Sequence, residues 1–187
     1  MLEKWHHSLF LWINASPEAH PASIRLAVFA AEYLTGIMLV ALLLRMAADF
    51  RRRPSFWLGL LVSVGLAVSA TYLLRKGIDV QRPFALGIGT QGLEHSASSS
   101  FPSKHAAPLF AVASYLLFKE TERKQIYLWW VGTLTVAWSR VYLGVHWHTD
   151  MLGACLVGLL SAGTVHGYLK RQYKMREGTS GERFESF

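Results

Sequence analysis

Charge and cysteine are what this 187-residue sequence has least of. Asp, Glu, Lys and Arg together make up 17%, against roughly 25% in a typical water-soluble domain, while apolar residues reach 52%. That balance excludes intrinsic disorder and argues against a water-soluble enzyme. The single cysteine, Cys155, excludes an internal disulfide framework and a Cys-rich zinc site. The net charge is +7, yet no long basic run is present to track a nucleic-acid backbone, so no nucleic-acid partner is expected.

What the chain does have is long apolar stretches. A membrane-crossing helix needs about 20 mostly apolar residues, and Ile24–Leu44, Phe56–Leu74, Gln125–Leu143 and Met151–Leu169 meet that length. Ala106–Phe118 is short, and reaches it if its helix starts near Ser103 and runs into Lys119–Glu122. Leu2–Ile13 carries Trp5, Leu9, Trp12 and Ile13 at helical spacing with Lys4, His6, His7 and Ser8 between them. It is too short to cross and amphipathic enough to lie in the interface. It also lacks the apolar h-region and cleavage site of a leader. The expected fold class is all-α: a polytopic transmembrane bundle of about five spans plus an N-terminal interfacial helix. Residues 1–173 form one membrane-embedded domain, and 174–187 a polar, mobile tail. Small residues at Ala154, Gly158 and Ala162 let the last span approach a neighbour closely, with Cys155 packing beside them.

Five spans sort the basic residues onto two sides. Arg45, Arg51, Arg52, Arg53, Lys119, Arg123, Lys124, Lys170, Arg171, Lys174, Arg176 and Arg183 share one, which the positive-inside bias makes cytoplasmic. Lys4, Arg25, Arg75, Lys76, Arg82, Lys104 and Arg140 fall on the outer side, against that bias. Something other than topology therefore placed most of them.

Three polar patches lie on that outer side at helix ends: Arg75–Pro83, Phe101–His105 and Ser139–Asp150. His146 and Asp150, four apart, share a face if helical, so the carboxylate can fix one imidazole nitrogen and leave the other as nucleophile or base. Ser103 stands where an N-cap belongs, His105 follows in the first turn, and such a helix end attracts anions. Arg140 adds a guanidinium suited to phosphate. A metal reading of His146-x-His148-x-Asp150 is weaker: on a helix His148 lies about 200° round from His146, and no further acidic or His cluster completes the set. Glu32, within the first span, is an ionisable residue in apolar surroundings and so a functional suspect, with a partner that the sequence does not name. A lipid or anion transporter, the reading from a different class, favours polar groups deep in several spans, and Glu32 is the main one the sequence offers.

These residues resemble the type 2 phosphatidic-acid phosphatase/haloperoxidase family, whose signature is K-x(6)-R-P, P-S-G-H and S-R-x(5)-H-x(3)-D. The third motif matches in full at Ser139-Arg140, His146 and Asp150; the second is Pro102-Ser103-Lys104-His105, with Lys104 in place of Gly; the first ends at Arg82-Pro83 but begins at Arg75 rather than Lys, with Lys76 one short. The resemblance implies that His146 attacks phosphorus to form a phosphohistidine, that Asp150 orients it, and that His105 protonates the leaving oxygen. Arg82, Arg140, Ser103, Lys104 and either Arg75 or Lys76 would hold the phosphoryl oxygens, with no metal and no cofactor. Within the family, the Arg82-Pro83-Phe84 and Ser-rich segments resemble the undecaprenyl-diphosphatase branch. That implies a polyprenyl diphosphate substrate, a place in the bacterial cytoplasmic membrane with the site facing outward, and a role in recycling the cell-wall lipid carrier. A phosphatidylglycerophosphate or phosphatidate phosphatase, or a lipid phosphotransferase, shares the fold. The haloperoxidases share the pocket but are soluble.

Overall fold

The computed structural model describes residues 2–119 and 122–181. Its described residues form helices joined by loops: α1 (Leu2–Ile13), α2 (Pro21–Phe29), α3 (Thr35–Asp49), α4 (Pro54–Gly77), α5 (Ala106–Phe118), α6 (Arg123–Tyr142) and α7 (His148–Gly181). A π-helical turn, Ala30–Leu34, joins α2 to α3, so the two make one rod, Pro21–Asp49, of 29 residues. Proline at the first helical position starts both α2 and α4, where its missing N–H costs nothing.

By length and composition, the Pro21–Asp49 rod, α4 and α7 are each sufficient to cross a membrane. Their outward faces carry Leu26, Leu39, Leu44, Leu61, Leu73, Leu152, Leu156 and Leu160, all exposed. A surface this apolar belongs in lipid, and the chain is a multi-pass membrane protein. α5 corrects one expectation. It begins at Ala106 and stays at 13 residues, about 20 Å at 1.5 Å per residue. It needs no more, because Ala106, Ala107 and every residue from Leu109 to Leu116 are buried by the helices around it. α7 seats against it at Gly158, where an added Cβ would lie 2.6 Å from Ala111 N; Ala154 and Ala162 are fully buried on either side, and Cys155 packs half-buried against the same core. α7 also continues past Tyr173 to Gly181, while Arg183 and the rest of the tail lie outside the described residues.

α1 is a helix, as expected. Trp5 and Trp12 point outward, 72% and 83% exposed. Phe10 is fully buried, its ring meeting that of Trp147 edge-on at 4.9 Å, and His7 stacks on the same indole. The imidazoles between the two tryptophans thus clamp the helix to the segment that holds His146. From the end of α1, Asn14 donates to Thr90 O at 3.0 Å and Tyr142 O at 2.9 Å and accepts from Thr90 N at 2.7 Å, so one amide joins three segments. Gly144 sits in this node at φ +73°, and a Cβ there would lie 2.2 Å from Thr90 O. Gly144→Ala is therefore expected to destabilise the fold by about 1–3 kcal/mol, measurable as a lower Tm of the purified protein in detergent.

Candidate active site

The end of α4, the start of α5, the end of α6 and the start of α7 meet at one end of the bundle. The loop from Ile78 to His105 crosses over them. Three bonds tie the patches together. Trp147 Nε1 donates to Gln81 O at 2.8 Å, Ser100 N to Val80 O at 2.8 Å, and Ser103 N to Asp150 O at 3.4 Å. Segments separated by up to seventy positions in the chain thus become one framework.

His146 is not on a helix, which corrects the premise of the pairing but not the pairing. It lies in the turn before α7, and Asp150 in the first turn of α7 accepts both the Trp147 N–H and His146 Nδ1–H on Oδ2, each at 2.9 Å. The carboxylate is a helix cap and a histidine orienter at once. On the other side, His146 Nε2 stands 3.2 Å from Arg82 Nη1. A guanidinium only donates, so Nε2 presents its lone pair. Both neighbours select the same tautomer. His146 and Asp150 are fully buried, and burial, followed by the fields of Arg82 and Arg140, holds the His146 imidazole well below its ordinary range. It stays neutral and nucleophilic.

Arg82 is fully buried as well. Three further N–H groups go to backbone carbonyls of Ser98 (2.9 Å), Ser99 (3.4 Å) and Val145. Burial and the nearby Arg75 bring it down to about 10, which leaves it charged at neutral pH. Arg75 reaches Ser100 O at 3.2 Å and Pro102 O at 3.1 Å, so it braces the loop around His146. Lys76, the other of the two alternatives, is turned away, its ammonium 4.7 Å above the Tyr72 ring. One residue further along a helix is a rotation of about 100°, which carries Lys76 off the site face. Arg75→Ala is expected to lower kcat/KM about 10- to 100-fold, while Lys76→Ala stays within about twofold of the wild type, read in side-by-side turnover assays.

His105 precedes α5, and Ser103 caps that turn, its Oγ accepting from Ala106 N at 3.4 Å. Ser103 is fully buried. Arg140 Nη2 stands 2.7 Å from His105 Nδ1. Again the guanidinium must donate, so Nδ1 accepts and Nε2 carries the hydrogen. Burial, then Arg140 and Lys104, push His105 down to about 3. Lys104, exposed, lines with His105 and Arg140 a cavity of about 560 Å³ that Glu32 and Glu94 also border. Glu32, in the π-helical turn, therefore faces the cations of this cavity. His95 borders it too, its ring centroid 6.2 Å from that of His146 and 6.5 Å from that of His105. The motif reading passes over His95. Its only signal in the sequence is that it is the one imidazole in the Ser- and Gly-rich stretch between the first two motifs.

His148 turns from His146 towards His6, their ring centroids 4.7 Å apart, and among the described residues no group of three His, Cys, Asp or Glu gathers in a metal-binding arrangement. The neutral buried imidazoles carry a consequence for stability. His146, His105 and His95 all lie below the unfolded value of 6.5, so the unfolded chain binds more protons below that pH. Their contribution is complete above pH 6.5 and is lost as pH falls through it towards their folded values. Tm is expected to drop between pH 7 and pH 5 in a fluorescence-detected melt.

The PAP2 superfamily model matches residues 56–174. The Escherichia coli (strain K12) protein YbjG, to which an undecaprenyl-diphosphatase activity is ascribed, is 37% identical over 86% of this chain and 80% of its own length. The undecaprenyl-diphosphatase BcrC of Bacillus subtilis (strain 168) is 26% identical over 83% and 79%, and phosphatidylglycerophosphatase B of the same organism 38% identical over 46% of each chain. Among solved structures, that of Aquifex aeolicus LpxE has a TM-score of 0.73 at 22% identity, covering 86% of this chain and 94% of that one. This likeness is one of fold.

Proposed function

The chain belongs to the PAP2 superfamily and is a membrane-embedded phosphoric-ester hydrolase, and on that premise we propose that it removes the terminal phosphate of a polyprenyl diphosphate, undecaprenyl diphosphate above all. The observation that carries the proposal is the His146 environment: an imidazole fixed by Asp150 with its lone pair turned towards Arg82, beside a cavity edged by Arg140. The oxygens of a phosphoryl group entering between His146 and His105 take over hydrogen bonds from Arg82 and Arg140, and the Ser103 turn closes the third side. Catalysis of phosphoryl transfer rests on such positioning and charge neutralisation. The arginines provide both, and Lys104 adds a further cation at the cavity rim.

In the first half-reaction, His146 Nε2 attacks phosphorus, the bond to the leaving oxygen breaks, and that oxygen takes a proton from His105. Arg140, donating to Nδ1, holds His105 neutral. As Arg140 turns to the phosphoryl oxygens, Nδ1 is freed and the incoming negative charge favours protonation, so the acid forms when substrate is present. In the second, water displaces His146 and inorganic phosphate leaves.

The lipid character of the substrate is supported by an apolar groove of about 260 Å³ between α3, α4 and α5, lined by Leu39, Leu42, Leu43, Leu60 and Leu61, that shares Thr35, Lys104 and His105 with the polar cavity. A tail can lie in it while the headgroup reaches His146. The excess of basic residues at the opposite end of the bundle supports a site on the outer face of the bacterial cytoplasmic membrane, where the product returns to the carrier pool. The relation to phosphatidylglycerophosphatase B makes phosphatidylglycerophosphate the substrate to test against. The purified protein in detergent is expected to release phosphate from a long-chain polyprenyl diphosphate with higher kcat/KM than from phosphatidylglycerophosphate, and undiminished by EDTA. The reverse preference contradicts the substrate assignment, and EDTA sensitivity contradicts the cation set.

A further inference from the structure

The two-step chemistry needs a group to deprotonate the water that attacks the phosphoenzyme, and resting on that reading we propose that His95 is this base. Three imidazoles border one site, and their hydrogen bonds sort them by what each can do. His146 has its proton on Nδ1 and its lone pair towards the phosphoryl position. His105 has its Nδ1 lone pair held by Arg140 and its other nitrogen bearing hydrogen, and its role is at the leaving oxygen. His95 is the reverse. Its Nδ1 stands 3.1 Å from Ser96 O, and a carbonyl oxygen only accepts, so Nδ1 carries the hydrogen and Nε2 keeps its lone pair. His105 gains a basic nitrogen only once Arg140 has turned to the phosphoryl oxygens and its proton has gone to the leaving oxygen, whereas His95 has one from the outset, at the rim of the cavity where solvent enters; it is only partly buried, whereas His146 is fully so.

The ring centroid of His95 lies 6.2 Å from that of His146 and 6.5 Å from that of His105. One water molecule spans a gap of that size between a ring nitrogen and a phosphoryl group held on His146. The charged and titratable groups around His95 are Arg82, Arg140, Lys104, His105, His146, Glu32 and Glu94. Burial and the three cations hold its imidazole below the ordinary value, hence neutral and able to accept a proton at pH 7. In the step assigned to it, the water oxygen bonds to phosphorus, the phosphorus–Nε2 bond of His146 breaks with its electron pair returning to Nε2, and one water proton passes to Nε2 of His95. The other stays on the inorganic phosphate. The His95 imidazolium keeps its Nδ1–H on Ser96 O and gives its extra proton to solvent at the rim.

The test separates the two half-reactions. Among the described residues the side chain of His95 hydrogen-bonds only its own neighbour Ser96, so His95→Gln and His95→Ala are expected to leave the fold intact, verified by the Tm of each variant. With a polyprenyl diphosphate in rapid-quench assays under alkaline conditions, which preserve phosphohistidine, both variants are expected to release leaving group in a burst of about one equivalent. A steady phase at least about 100-fold slower than wild type follows, with phosphoenzyme accumulating, and added imidazole is expected to speed that phase in His95→Ala. A steady rate near wild type overturns the assignment, as does a loss in which burst and steady phase fall together. If neither wild type nor variants form phosphoenzyme while turning over, the two-step reading itself fails, and that result is distinct from the failure of His95 alone.

Discussion

His146→Ala loses at least about 10⁴-fold in kcat/KM for the lipid diphosphate, with no phosphoenzyme at any time point. The size of the effect follows from what is removed. In the proposed chemistry the imidazole is the nucleophile and no other group shares its role, so its loss leaves only the rate supplied by binding and charge neutralisation. Arg82 and Arg140 remain in the variant, so inorganic phosphate still inhibits. The void left by a fully buried ring also lowers stability, and the Tm of the variant shows whether the folded protein is what has been assayed. Loss of turnover with phosphate inhibition retained is the expected pair of results. Activity within tenfold of wild type removes His146 from the chemistry and revives a transport role.

Asp150→Asn loses about 10²- to 10⁴-fold in kcat, for a different reason. The carboxylate accepts on one oxygen from both Trp147 N–H and His146 Nδ1–H. An amide oxygen in that place keeps both bonds, and so preserves the cap and the His146 tautomer. What the amide lacks is the negative charge that steadies the positive phosphoimidazole, and the loss of rate comes from that. Because Arg82 and Arg140 are untouched, inhibition by inorganic phosphate is expected to change far less than kcat. A matched fall in both, with a collapsed Tm, assigns Asp150 to structure alone.

Much of this site was visible in the residues, because its chemistry is written in short spacings. Ser139-Arg140, His146 and Asp150 lie within twelve positions, and the carboxylate finds the imidazole whether the backbone between them is a helix or, as here, a turn leading into one. What spacing could not decide was direction. Arg75 and Lys76 are equivalent as letters, and only the phase of α4 sends one under the loop and the other to Tyr72. The short α5 was misjudged because the length rule applies to helices that meet lipid, and α5 meets other helices. The inward face of α1 was not legible, because an amphipathic stripe reports which residues share a side, not which side packs on Trp147. His95 was invisible for a plainer reason: a loop residue without a motif is placed by tertiary structure alone. Glu32 was noticed for its cost in a membrane helix, and the cations that offset that cost come from Lys104 and Arg140, more than seventy positions away.

The stereochemical course at phosphorus tests the central claim most directly. Attack by His146 followed by attack by water is two in-line displacements, each inverting the phosphorus. Turnover of a lipid diphosphate made chiral at its terminal phosphorus with oxygen isotopes and sulfur is therefore expected to give inorganic thiophosphate with overall retention. Inversion means that water attacks the substrate directly and that no bond to His146 forms, which contradicts the account.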